Sequence, residues 1–291
     1  MTPIEEQAHA KINLALHVTG QRDDGYHLLD TLVAFTREGD RLTFAPSAEN
    51  RFTLSGRFGP MLEADADGGN NLVLRARDGL AALLAESGRL TPPVHIHLEK
   101  NLPLSSGIGG GSADAAATLR GLQRLWNFSP DPGALARLAL SLGADVPMCL
   151  ESRSLIARGI GEEIMPVTLP AFPILLVNPL LPVSTPAVFR LLTNKDNAPL
   201  PPAITRAGRA DARAIAALRN DLQPPAERLE PVIAALIAEI AATGADVARM
   251  SGSGATCFGL FPDGESLSMA RETLSARHPD WYVAATSTLA D

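Results

Sequence analysis

A chain of 291 residues with 46% hydrophobic and 20% charged side chains is long enough for one large or two modest domains with a real core. Its 25 Lys+Arg against 32 Asp+Glu give a net charge of −7, and basic residues never cluster beyond one or two, which argues against a nucleic-acid or anionic-membrane surface. The longest apolar runs, Phe172 to Val177 and the Glu239-interrupted run from Val232 to Ala242, fall short of the roughly 18 residues a bilayer span needs. Residues 1–10 lack the basic and apolar regions of a signal peptide, so a cytoplasmic protein is expected.

In chain order, Ala8, Ala10, Ile12, Leu14, Leu16 and Val18 occupy every even position and predict a strand over 8–18. Its odd face carries His9, Lys11, Asn13 and His17. A helix is predicted from Asn71 to Glu86. A strand over 94–99 follows, with Val94, Ile96 and Leu98 inward and His95, His97 and Glu99 outward. Two imidazoles at i, i+2 could share a metal, but no carboxylate or third histidine follows at ligand spacing, so this face is read as solvated. Helices are predicted at Ser112 to Trp126 and at Pro132 to Leu142, closed by Gly143. Prolines then concentrate after residue 165, at Pro170, Pro173, Pro179, Pro182, Pro199, Pro201 and Pro202, which places a domain boundary there and divides the chain into 1–165 and 166–291. Further helices are predicted at Asp211 to Leu218, at Pro225 to Ala242 closed by Gly244, and at Glu265 to Arg277, with a strand at Cys257 to Phe261. Strands and helices mix without regular βαβ alternation, which points to α+β. Cys149 and Cys257 stand far apart among apolar neighbours, with no C-x-x-C spacing, and read as buried free thiols.

The strongest chemical signal runs from Lys100 to Ala117, where a strand end gives way to a Gly/Ser loop and then an alanine-rich helix start. Glycines allow positive φ and leave no Cβ in a ligand's way, so successive N–H groups converge on an anion, and the helix that opens next adds unpaired N–H groups and a positive dipole end. The combination reads as a phosphate cradle rather than a flexible turn with a helix-capping Ser112, which would need one cap and not five Gly/Ser residues. It is not a P-loop, because the chain has no Gly-Lys dipeptide. Nor is it a dinucleotide fingerprint, because Gly107 to Ser112 spell G-x-G-x-x-S and the acidic residue expected about 20 positions on is missing. A second small-residue turn, Met250 to Phe258, is either an ordinary hairpin or a second loop on the same polyphosphate. Asp145, between Gly143 and Pro147, is either a turn former or a carboxylate that accepts a proton from an attacking hydroxyl. Lys11 on its strand face calls for a carboxylate or phosphate partner if buried. Read alone, Tyr26 and His27 are surface residues after a turn, and Phe189 is core.

Together these segments resemble the GHMP kinases. The family's central motif appears as Pro103 to Ser112 and its C-terminal motif as Ser251 to Thr256. Five further strings are similar to the branch that acts on a cytidine-diphosphate-linked methylerythritol: A-K-I-N-L-x-L-x-V-T-G at 10–20, D-G-Y-H at 24–27, G-A-D-V-P at 143–147, G-I-G-E at 159–162, and V-S-T at 183–185 followed by Phe189. The resemblance implies an α+β fold of two domains, ribosomal-S5-domain-2-like then ferredoxin-like, with the catalytic cleft between them. It implies transfer of the γ-phosphoryl of ATP to the 2-hydroxyl of 4-diphosphocytidyl-2-C-methyl-D-erythritol. Lys11 and Asp145 match the catalytic pair, with Asp145 accepting the hydroxyl proton and Lys11 keeping it ionised. Pro103, Leu104, Ser105, Ser106, Gly107, Ile108, Gly109, Gly110, Gly111, Ser112 and Ala113 match the ATP phosphate loop, and Lys100 and Asn71 match positions near adenine. Ser251, Gly252, Ser253 and Gly254 match the second loop. Tyr26 and Phe189 match an aromatic pair around cytosine, His27 a reader of the base edge, and Asn13 and Thr185 further substrate contacts. Ser105 and Ser106 stand where relatives often carry Gly or Ala. Mg²⁺ is expected with ATP, and Ser112 is a candidate ligand, with the protein ligand set left open. The partner is a small molecule, with no nucleic acid or membrane, and the chain is expected to be a monomer or weak homodimer. Two alternatives are a kinase of this family for another small alcohol, such as homoserine or mevalonate, and a non-catalytic nucleotide sensor on the same fold.

Overall fold

In the computed structural model, residues 3–65, 71–207 and 210–290 are described. Two long strands open the chain, β1 (Ile4–Gln21) and β2 (His27–Pro46), followed by β3 (Arg51–Ser55), α1 (Gly59–Asp65), α2 (Leu72–Glu86) and β4 (Val94–Glu99). Then come α3 (Gly110–Leu125), α4 (Pro132–Leu142), α5 (Val146–Glu151), β5 (Leu155–Gly159), β6 (Glu163–Pro166) and β7 (Pro173–Asn178). The remainder comprises α6 (Thr185–Arg190), α7 (Pro202–Ala207), α8 (Ala212–Ala216), α9 (Gln223–Leu229), α10 (Val232–Ala242), β8 (Val247–Met250), β9 (Cys257–Leu260), α11 (Gly264–Arg277) and β10 (Tyr282–Ser287). The α+β class read from the sequence is the class observed.

The chain forms two compact units. The first takes the segment up to Ala10 together with Gly39–Leu104 and Gly109–Ser152. Within it, the C-terminal part of β2 pairs antiparallel with β4 over Arg41 to Pro46, and β4 pairs parallel with β3. Helix α3 lies against this sheet: a Cβ added at Gly121 would stand 2.3 Å from the Phe44 ring. Only glycine permits that approach. Helices α2, α4 and α5 complete the layer around α3.

The second unit takes Lys11–Glu38, Ser105–Ile108 and the chain from Arg153 onward. Here the N-terminal part of β2 pairs with β5, and β5 with β6, all antiparallel. A separate antiparallel sheet runs β10-β7-β9-β8. Helices α10 and α11 cover it, burying Leu175, Val177, Ile233, Leu236, Ile240 and Leu274 in one core.

On the odd face of β1, Lys11, Asn13 and His17 are all buried, and each finds polar partners there. Two readings of the sequence are corrected. The single helix expected from Pro225 to Ala242 is two, α9 and α10, broken where Glu230 takes φ −132° and ψ 88° before Pro231. Proline lacks the N–H that would continue the ladder and disfavours helical geometry in the residue before it. The outward face of β4 is half-buried: Thr53 Oγ1 on β3 lies 2.8 Å from His95 Nε2 and 2.9 Å from His97 Nδ1. The short helices α1, α5, α6 and α7 carry too little periodicity to be read from sequence. Cys149 and Cys257 are buried free thiols, as expected.

Candidate functional site

In the second unit the two glycine loops meet. Ser251 Oγ donates to the Gly107 carbonyl at 3.0 Å and accepts the Asn13 N–H at 3.1 Å. The Thr256 N–H donates to the Ser106 carbonyl at 3.1 Å, and the Lys11 N–H to the Ile108 carbonyl at 2.9 Å. The approach is close enough that a Cβ on Gly107, which has φ +75°, would lie 2.6 Å from the Ser251 carbonyl oxygen. Strand β1 therefore delivers Lys11 and Asn13 directly to the loop pair. Lys11 Nζ donates to Asn13 Oδ1 at 3.0 Å, and Asn13 Nδ2 donates to Thr31 Oγ1 at 2.8 Å. The hydroxyls of Thr185 and Ser253 are 2.7 Å apart, which brings the start of α6 to the same loop.

The same unit holds the aromatic residues. His27 stacks on Phe189 with ring centroids 4.7 Å apart and an interplanar angle of 27°. Burial, with the nearby Lys195 charge, holds the His27 pKa below its ordinary value, so the ring is neutral at physiological pH. Its Nε2 is buried without a hydrogen-bond partner among the described residues. Tyr26 is 61% exposed, next to the pair in sequence.

The first unit holds the rest. Pro103 and Leu104 lead into the loop, and Gly109, at φ +66°, precedes α3 with no side chain capping the helix. The first-turn N–H groups of Gly110, Gly111 and Ser112 thus open the helix without a side-chain acceptor, which leaves them for an anion. Ala113 is buried behind them. Between Leu104 and Gly109, Ser105, which belongs to the second unit, adopts φ +48°, a left-handed conformation that costs a non-glycine residue about 1 kcal/mol or more. The serine fits where glycine is more usual. Asn71 caps α2, its Oδ1 accepting the N–H of Val73 at 2.9 Å, while its buried Nδ2 has no partner among the described residues. Asp145 precedes α5 and makes no capping bond to it. A Cβ at Gly143 would lie 3.9 Å from Ser112 Oγ, so the Asp145 turn runs past the first turn of α3.

Lys100 sits deeper than a ligand-facing lysine would. It is 1% exposed, and its Nζ donates to Asp40 Oδ2 at 2.5 Å and to Asp114 Oδ2 at 2.6 Å. Burial alone would lower its pKa, but the two carboxylates outweigh that and raise it, so the ammonium stays charged. Burial pushes the Asp114 carboxyl up to about 8, Asp40 adding to the effect and Lys100 opposing it. Sequence reasoning missed Asp40 and Asp114; a lone aspartate on the apolar face of an alanine-rich helix was the available signal. It also missed Asn220, whose Nδ2 donates to the carbonyls of Met250 and Gly252, both at 2.8 Å, and so fixes the second loop.

Two family models match the chain, the GHMP kinase N-terminal domain over residues 71–153 and the GHMP kinase C-terminal domain over residues 188–280. A protein of Sinorhizobium medicae named 4-diphosphocytidyl-2-C-methyl-D-erythritol kinase is 60% identical over 284 residues, covering 97% of this chain and 94% of that protein. One of Rhizobium leguminosarum with the same name is 61% identical over 288 residues, covering 98% and 95%. A crystal structure of 4-(cytidine 5'-diphospho)-2C-methyl-D-erythritol kinase superposes with TM-score 0.81 at 35% identity, covering 99% of this chain and all of that one. A homoserine kinase from Cytophaga hutchinsonii, 17% identical with TM-score 0.69 over 100% of this chain and 95% of its own, shares the fold. With both family models on the chain and such identity along nearly its whole length, the chain belongs to the GHMP kinase family and is built as a small-molecule phosphotransferase.

Proposed function

We propose that the chain transfers the γ-phosphoryl of ATP to the 2-hydroxyl of 4-diphosphocytidyl-2-C-methyl-D-erythritol, a step of the non-mevalonate route to isoprenoid precursors. The observation that carries this reading is the 60–61% identity, over almost the full length, to relatives named for that activity. The stacked His27–Phe189 pair supports it: a neutral imidazole with an open nitrogen beside an aromatic face suits a pyrimidine, and base stacking is worth on the order of 1–3 kcal/mol. Homoserine and mevalonate offer no base for such a pair.

In this reading the loop from Pro103 to Ala113 and the turn from Ser251 to Gly254 hold the ATP phosphates, and the open Nδ2 of Asn71 donates to adenine. Asp145 accepts the proton of the 2-hydroxyl as that oxygen attacks, and Lys11 stabilises the charge on the transferring group. Asn13, Thr185 and Tyr26 position the cytidyl substrate. Lys100 acts from below the loop, through its carboxylate partners. The Ser112 hydroxyl is a hard oxygen donor that suits Mg²⁺, which is commonly held by one or two protein ligands plus phosphate oxygens and water. Bound there, it would neutralise phosphate charge.

The four-stranded antiparallel sheet covered by α10 and α11 supports a ferredoxin-like C-terminal domain, and the family-model spans fall on either side of residue 165, in keeping with domains at 1–165 and 166–291 and an S5-like N-terminal domain. Among the described residues no helix is long and apolar enough to cross a membrane, and we place the protein in the cytoplasm as a monomer or weak homodimer that binds no nucleic acid. The test is ADP release with the cytidyl substrate, homoserine and mevalonate as acceptors. Turnover on the cytidyl substrate alone is expected, and turnover on the simple alcohols alone would overturn the assignment.

A further inference from the structure

Two carboxylates and one ammonium lie buried together in the first unit, their side chains no more than 3% exposed. Such groups add little net stability, because desolvating each charge offsets most of the attraction, and here two carboxyl groups share one ammonium. Their places in the chain give them a use. Asp40 holds Lys100 with Oδ2, and with Oδ1 it accepts the N–H groups of Asn101 at 2.5 Å and Leu102 at 2.8 Å, the residues that lead into the glycine loop. Asp114, the second acceptor of Lys100, stands in α3 directly after the loop. The Lys100 ammonium also lies 3.1 Å from where a Cβ at Gly110 would be, so it sits immediately behind the first residue of α3.

We propose that Lys100, Asp40 and Asp114 form a staple that joins the two ends of the 103–113 loop and thereby sets the spacing of its phosphate-binding amides. All three are positioning residues, and the inference rests on reading that loop as the ATP phosphate site. The two carboxylates have unequal parts. Asp40 spends both oxygens on donors, so Asp40→Asn turns an N–H₂ group toward either the ammonium or the backbone N–H groups. Asp114 spends one, and its Oδ1 is buried without a partner among the described residues. Asp114→Asn keeps an oxygen on Lys100 and, like a protonated carboxyl, carries no charge.

The test combines amide hydrogen exchange with steady-state kinetics on the full chain. Asp40→Asn should speed exchange of amides 104–113 by about tenfold or more and raise the KM for ATP about tenfold, with the KM for the cytidyl substrate within about twofold. Asp114→Asn, which keeps one oxygen on Lys100, should shift the same readouts in the same direction but by less than Asp40→Asn, an ordering that a generic burial role does not predict. Lys100→Arg keeps the charge but misplaces the donors, and should shift the same readouts in the same direction if Asp40→Asn does not fold. Exchange that rises evenly over α2, α3 and β4, or a loop as protected as in the parent, overturns the staple. A loosened loop with an unchanged KM for ATP upholds the staple and removes the nucleotide reading beneath it.

Discussion

Asp145 and Phe189 carry separable parts of the proposed chemistry. Asp145 is half-buried and makes no capping bond to α5, so truncating it takes no hydrogen bond from that helix. Asp145→Ala should lower kcat by about 100-fold or more while the calorimetric affinity for ATP stays near the parent value. Near-normal turnover would leave Asp145 without its role. Phe189 stacks on His27 and packs against the core of the second unit. Phe189→Ala should weaken binding of the cytidyl substrate by about tenfold and ATP by far less, because the lost stacking is worth on the order of 1–3 kcal/mol. Equal losses for both ligands would make Phe189 a core residue only. Neither role could be read from local pattern: an Asp before proline looks like a turn and a lone Phe looks like core, and only the assembled motifs distinguished them.

At the scale of the element, α3 joins the proposed phosphate-binding end to a buried titrating group. Its glycine-rich start was legible in the sequence because φ-permissive residues and an uncapped helix opening are adjacent in the chain. Its carboxylate was not, because Lys100 lies 14 residues before Asp114 and Asp40 a further 60 residues back, and pairings at such separations leave no periodic trace. The consequence is a dependence of stability on pH. A carboxyl raised from 3.8 to about 8 on folding favours the protonated form in the native state, so its stabilising effect is complete below about pH 4 and is lost as pH rises through about 8. The raised Lys100 pKa works in the same sense only above 10.5, outside this window. The parent should therefore lose melting temperature between about pH 6 and pH 9 relative to Asp114→Asn, which has no proton to release. Parallel curves for the two proteins would show that Asp114 does not titrate there.

Across the whole molecule, what the sequence revealed was class, the longer helices and the two glycine loops. What it concealed was how distant segments are tied together. Arg249 is the plainest case in the second unit, since nothing in V-A-R-M distinguishes a strand arginine pointing to water from one pointing inward. In the structure its Nη1 donates to the Leu14 carbonyl at 2.6 Å and the Ile215 carbonyl at 3.2 Å. Its Nη2 donates to Leu218 at 2.6 Å and Ala216 at 3.3 Å. Burial lowers its pKa to about 10, still well above neutrality, so a full charge is neutralised by carbonyl dipoles from β1, α8 and the turn after it. The same residue precedes the Met250 to Gly254 loop, so these bonds also anchor one stem of the proposed site. Arg249→Leu would leave buried carbonyls without a donor, at about 1–3 kcal/mol each and less than additively. A loss of at least about 3 kcal/mol is expected, a large share of the roughly 5–15 kcal/mol that holds a domain folded. Arg249→Lys keeps the charge but lacks the planar fork that spans several acceptors, and should fall between the two. Urea titration of the three proteins decides it: a midpoint for Arg249→Leu equal to the parent's would mean that the carbonyl cage contributes nothing net, and that the β8 stem is held by the apolar packing of its sheet alone.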